Sequence, residues 1–178
     1  MKAFCLAALV IVSATASGIT PSALVWEDHF ASDKKHPNTL FSLLSLGTFR
    51  AELSNNFGAR MKEWLRKHPH AVLRPIVTRP PVMEKGPHLK MVFVWITDGG
   101  ENLNVYLVRQ GCVGAGQMLA VTDEDPDIQR EFGLEKDKLQ VPIAEYRAVR
   151  KQLVEAEEKA KQERLGIWAK SPEQRTGD

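Results

Sequence analysis

Met91-Val92-Phe93-Val94-Trp95-Ile96 is an unbroken apolar run of mostly β-branched and aromatic residues, and Asp98-Gly99-Gly100 closes it with a turn. This is the clearest strand of the chain, so the fold must be organised around a sheet. A strand needs partners. The residues directly after the turn, Leu103 to Val108, are the expected return strand of a hairpin.

Other strands are expected upstream. Ala71 to Val77 reads as one, interrupted by Pro75. Proline donates nothing to a ladder, so this strand is expected at a sheet edge or bulged at that residue. Leu40 to Leu46 is apolar enough for a buried strand, and Leu24-Val25-Trp26 for a short one. The polar segment Asp33-Lys34-Lys35-His36-Pro37-Asn38 is a loop, as is Thr78 to Pro87 with its three prolines.

Two segments carry helical periodicity. Phe57, Met61, Trp64 and Leu65 share one face. Ser54 or Asn55 is placed to cap that helix, and Pro69 ends it after Arg66, Lys67 and His68, cations that the helix dipole favours there. Near the C-terminus Tyr146, Val149, Leu153, Ala156 and Ala160 recur at steps of three and four. That stripe is narrow, as in a helix with one packed face and the rest wet. Gly166 stands near its end with Trp168 behind it. Gly114 to Pro142 is a long connection, and the order of elements is that of an α+β fold around a small barrel.

The N-terminus reads as an export signal. Lys2, the apolar run Ala3 to Val12 and the Ala14-Thr15-Ala16 site form the three regions of a signal peptide, with cleavage expected after Ala16. The run is shorter than the roughly 20 residues that span a bilayer, and no later stretch is long and apolar enough to do so. A secreted or periplasmic chain of about 160 residues is expected, enough for one domain. Its parts are 17–39 as an N-terminal extension or first strand, 40–169 as the body, and 170–178 as a flexible tail. Cys5 leaves with the signal, so Cys112 has no disulfide partner and reads as a small buried hydrophobe. The net charge of +2 drops by one with Lys2. Attraction to nucleic acid then requires a local basic patch.

Two segments carry a resemblance. One is Asn104-Val105-Tyr106-Leu107-Val108-Arg109-Gln110-Gly111. The other is Ala156-Glu157-Glu158-Lys159-Ala160-Lys161-Gln162-Glu163-Arg164-Leu165-Gly166-Ile167-Trp168. In order and spacing they resemble the C-terminal half of the staphylococcal-nuclease (thermonuclease) family, whose motifs are a strand and turn ending Leu-Val-Arg-x-Gly and a last helix ending Gly-Ile-Trp. The resemblance runs from about Val92 to Trp168 and is faint from Leu40 to Val77. It implies a five-stranded OB-type β-barrel with a mid-chain helix and a long C-terminal helix. It also implies that Gly111 makes a turn, that Gly166 ends the last helix, and that Ile167 and Trp168 cover the barrel.

In that family two aspartates and a backbone carbonyl hold Ca²⁺, a glutamate orients the attacking water, and two arginines receive the phosphate. A phosphodiester transition state gathers negative charge, which a metal and guanidinium forks stabilise. Matched onto this chain, Gly47 replaces a metal aspartate and Arg50 replaces the glutamate. Ser42 lies near the place of the first arginine, and Lys90 stands for the second. The acids nearest the missing metal turn are Glu27, Asp28 and Asp33. No catalytic residue and no metal ligand is assigned; Lys90 and Arg50 remain as phosphate-binding candidates. No cofactor is expected, with Ca²⁺ entering only if nuclease activity survives. The leading expectation is a monomeric interaction module for single-stranded nucleic acid or an acidic protein partner. The alternatives are an active metal-dependent phosphodiesterase with a rearranged site and a structural cell-envelope protein.

Three further features have plainer readings. Asp123, Glu124, Asp125 and Asp127 lack the glycine and glutamate of a Ca²⁺ loop, so Asp125 is read as a helix cap. His68-Pro69-His70 is read as a solvated helix end. Arg60, Lys62, Arg66, Lys67, Arg74 and Arg79 make the middle of the chain basic. With Trp64 between them they suggest a nucleic-acid surface, but the plainer reading is the polar face of an ordinary helix, with Trp64 in the core by its spacing. The charges from Arg147 to Arg164 alternate in sign as on a solvated helix face.

Overall fold

The computed structural model describes residues 19–44, 56–79, 90–116 and 139–169. The signal peptide, Gly47, Arg50, Ser54, Asn55, the acidic segment Asp123 to Asp127 and the tail from 170 lie outside these residues. So does most of the loop expected from Thr78 to Pro87.

Within them the architecture is α+β. The strands are β1 (Val25–Glu27), β2 (Phe30–Ser32), β3 (Thr39–Leu43), β4 (Val72–Arg79), β5 (Lys90–Asp98) and β6 (Glu101–Asn102). They form one sheet in the order β1-β2-β3-β5-β4, with β6 pairing the far end of β5. The β3–β5 pairing is parallel and the others are antiparallel. Among the described residues the sheet has six strands and is not closed; β1 and β4 are its edges. The expectation was a five-stranded barrel; the described sheet has a sixth strand, the two-residue β6, and no described pairing joins β1 to β4. Pro75 behaves as its chemistry demands. It lies in the edge strand β4, where the register shifts between Pro75 and Val77.

The helices are α1 (Phe57–Lys67), α2 (Leu103–Arg109) and α3 (Ile143–Gln162). Helix α1 starts from Asn56 in the cap position, and Phe57, Met61 and Trp64 are buried as their spacing implies. The sheet is covered on both faces. Val92, Val94 and Ile96 of β5 join Phe41, Leu43, Trp64, Leu103 and Leu107 on one side. Phe93 and Trp95 join Leu44, Ile76, Val77, Val141 and Tyr146 on the other. The Trp95 and Tyr146 rings stack with centroids 6.1 Å apart. Burial on both faces explains why β5 shows no apolar–polar alternation.

Leu103 to Val108 is helix, not the return strand of a hairpin. Gly99 and Gly100, with φ of 55° and 95°, reverse the chain at once, and Asp98 and Thr97 pair with Glu101 and Asn102. There the strand stops. The Asn102 side chain accepts from the N–H of Asn104 at 2.9 Å and of Val105 at 3.4 Å, satisfying donors that a helix start leaves open. Leu103, Leu107 and Val108 then fall together on the buried side; a strand would send alternate residues to opposite faces. Buried Asn104 ties the helix to the sheet, donating from Nδ2 to the Leu44 carbonyl at 2.8 Å and the Val94 carbonyl at 3.3 Å.

The two motif segments dock on each other. Gly111, at φ +65°, ends α2, and Gly166, at φ +53°, lies two residues after Arg164, itself at φ +52°. The glycines face one another. A Cβ on Gly111 would run into the Leu165 carbonyl, and one on Gly166 into the Gly111 carbonyl. The Ile167 N–H donates to the Gly111 oxygen at 2.9 Å. Arg109 adds a bidentate pair to Glu163 at 2.9 and 3.1 Å. Of the α3 stripe, Tyr146, Leu153, Ala156 and Ala160 are buried. Trp168 is only part-buried: it lies beside Gly114 and under the Lys161 ammonium, 4.9 Å from the ring centroid. The expected deep cover over a barrel is therefore a lid on the α2–α3 contact.

Cys112 is buried, and desolvation pushes its thiol up to about 11 despite the nearby Arg60 guanidinium. The thiolate is the reactive form. Alkylation by iodoacetamide at neutral pH should therefore be slow in the native state and fast in urea. Equal rates in both would show that the thiol is exposed.

Candidate functional site

Register decides which charged residues meet. Thr39 of β3 pairs with Lys90, the first residue of β5, and the Lys90 N–H donates to the Asn38 carbonyl at 2.9 Å. Leu40 pairs with Ser32 on one side and Met91 on the other, and Met91 pairs with Arg79 across β5. The β2–β3 loop, the start of β5 and the end of β4 thus share one end of the sheet. That end carries Lys34, Lys35, His36, Lys90 and Arg79. Lys34, Lys35 and Lys90 are exposed, and the Arg79 guanidinium lies 5.4 Å from the Phe93 ring centroid.

Asp33 is the acid at this end, and the loop itself uses its carboxylate. Oδ1 accepts from the Lys35 N–H at 3.0 Å, and Oδ2 meets His36 Nδ1 at 2.6 Å. The Lys35 backbone bond, followed by His36, holds its carboxyl below the usual carboxylate range. Glu27 and Asp28 are elsewhere. Glu27 pairs with Phe30, which pairs with Ser42, which pairs with Phe93. The β1–β2 turn is therefore three residues along the strands from Lys90, about 10 Å. At that turn Asp28 takes φ +53°, and burial depresses His29, whose carbonyl accepts from the Leu43 N–H at 3.0 Å.

Of the sequence-expected site residues, Lys90 and Ser42 are among the described ones, and they occupy different places in the sheet. Lys90 belongs to the cationic end. Ser42 is buried in mid-sheet and 3% exposed. Gly47 and Arg50 lie beyond Leu44, outside the described residues. Among the described residues no group of three or more His, Cys, Asp or Glu is arranged to hold a metal. Glu27 and Asp28 by themselves supply too few oxygens for Ca²⁺, which takes six to eight.

Two other readings change. Arg74 is no free wet-face cation: its Nη2 donates to Glu145 Oε2 at 2.9 Å, tying β4 to the start of α3. His68 is not a solvated helix end. Its ring stacks on Trp64 at 4.0 Å and sits between Asp98 at 3.3 Å and Glu101 at 3.4 Å, pinning the end of α1 to the β5–β6 turn. The β2–β3 lysines were visible in the sequence as loop residues. Their place beside Lys90 was not, because it depends on the parallel β3–β5 pairing. No protein-family model matches this chain, and no curated protein matches it. No helix among the described residues is long and apolar enough to cross a membrane.

Proposed function

We propose that this chain is an exported staphylococcal-nuclease-like domain of OB-barrel type that binds single-stranded nucleic acid without cleaving it. The strand path β1-β2-β3-β5-β4, with a helix between β3 and β4, supports the barrel reading. So does the docking of the two motif segments through Gly111 and Gly166. One observation carries the functional reading: the register gathers Lys34, Lys35, His36, Lys90 and Arg79 at one end of the sheet and leaves Glu27 and Asp28 about 10 Å away along the strands. Clustered exposed cations attract a phosphate backbone. Cleavage would also need carboxylates to hold metal and prepare water, and the matched positions carry Gly47 and Arg50.

The expected result is anisotropy binding of a single-stranded oligonucleotide that weakens steeply with salt. Lys90→Ala should reduce affinity a few-fold and flatten the log–log salt slope by about 0.7, the value of one phosphate contact on a single strand. No degradation should separate samples with Ca²⁺ from samples with EDTA, since each missing transition-state donor costs about 10²–10³ in rate. Metal-dependent cleavage would establish the rearranged phosphodiesterase instead.

A further inference from the structure

Beside the cationic end lies a second feature, with an apolar side. A cleft of about 640 Å³ opens between the N-terminal segment and the β2–β3 loop. That volume falls within the range of small-molecule sites, about 300–1,000 Å³. Ile19, Ala23, Leu24 and Val25 line one side, and Lys34 and Lys35 line the other. Val25, on the edge strand β1, is 51% exposed, so the lining it contributes is open apolar surface. Asp33 also lines the cleft, but its two oxygens face the Lys35 N–H and the His36 ring. Its oxygens are thus held by those donors, and the charges of Lys34 and Lys35 outnumber its own at the cleft.

We infer that this cleft binds a small amphiphilic anion: an aliphatic chain on the Ile19–Val25 wall and a carboxylate head at Lys34 and Lys35. The two sides demand both parts of such a ligand. An inorganic anion gains nothing from the apolar wall, where each buried methylene adds affinity. A neutral alkyl compound leaves the two ammonium groups unmatched. A polyanion is too large to enter a cleft of this volume. The inference goes beyond nucleic-acid binding and stands without it, although both use the β2–β3 lysines.

The test is calorimetric titration of the purified protein with decanoate below its micelle threshold, against acetate and a neutral decyl glycoside. Saturable decanoate binding is expected, with both controls at least about tenfold weaker. Lys34→Glu/Lys35→Glu should weaken decanoate by about tenfold or more through the reversed charge. Ala23→Glu should do the same from the opposite wall. These residues are exposed, and an unchanged urea midpoint confirms folding; if Ala23→Glu unfolds the chain, the lysine variant decides. Absence of saturable binding, equal binding of acetate, or full decanoate binding by the lysine variant would each overturn the inference. Lys90→Ala separates the two sites. It should leave decanoate binding unchanged while weakening the oligonucleotide, so either reading can fail without the other.

Discussion

Gly166→Ala should lower the unfolding free energy by about 3–5 kcal/mol, from left-handed strain and overpacking together. The φ of +53° already disfavours any side chain, and the new methyl would enter the Gly111 carbonyl. The obstacle is backbone, so no rotamer change relieves it. The only escape is to part the two segments, losing the Ile167–Gly111 hydrogen bond and the Arg109–Glu163 pair. Gly111→Ala should behave alike. The double variant should cost less than the sum of the singles, because one separation relieves both clashes. Gly58 is the control: a Cβ there meets nothing within 4 Å, so Gly58→Ala in α1 should stabilise by about 0.5–1 kcal/mol. Urea unfolding measures all four. A loss below about 1 kcal/mol for Gly166→Ala, the size of an ordinary substitution, would mean that the segments are not docked.

Asn104→Asp should be comparably damaging near neutral pH, at about 3–5 kcal/mol, the cost of an uncompensated buried charge. The Asn104 amide is fully buried and donates to the carbonyls of Leu44 and Val94. A carboxylate of the same shape donates nothing and faces two carbonyl oxygens. Burial and those oxygens raise its folded pKa above the unfolded value of about 3.9. With the folded value raised, the variant is most stable below the unfolded pKa and loses stability as the pH rises through the folded one. Its deficit against the wild-type chain should therefore shrink on acidification toward pH 4. A pH-independent deficit would show that the amide is not placed as described. Asn104→Ala removes the donors without adding charge and should cost less than Asn104→Asp at neutral pH.

How much was legible in the sequence follows from the range of the interactions involved. The α1 face, the α3 stripe, the β5 run, the Pro75 irregularity and the burial of Cys112 are short-range consequences of periodicity and backbone chemistry. They stand in the structure. Leu103 to Val108 was misread because its apolar content suits a strand as well as a helix. The deciding signal was local, the Asn102 cap, but a two-glycine turn suggests a hairpin first. His68 and Arg74 were misread for another reason: Asp98, Glu101 and Glu145 reach them from distant parts of the chain.

The candidate site divides the same way. The sequence by itself determined the residues available for chemistry: glycine at 47, arginine at 50, lysine at 90, and a pair of lysines in a polar loop. It also determined that two glycine-bearing motifs exist, because φ > 0 is a local demand that glycine meets. Tertiary structure alone decided that those glycines touch, that the loop lysines join Lys90 and Arg79, and that Glu27 and Asp28 lie away from them. Each of these depends on strand register and on contacts between residues tens of positions apart. A one-residue change of register would move every partner, and no property of the residues taken singly encodes it.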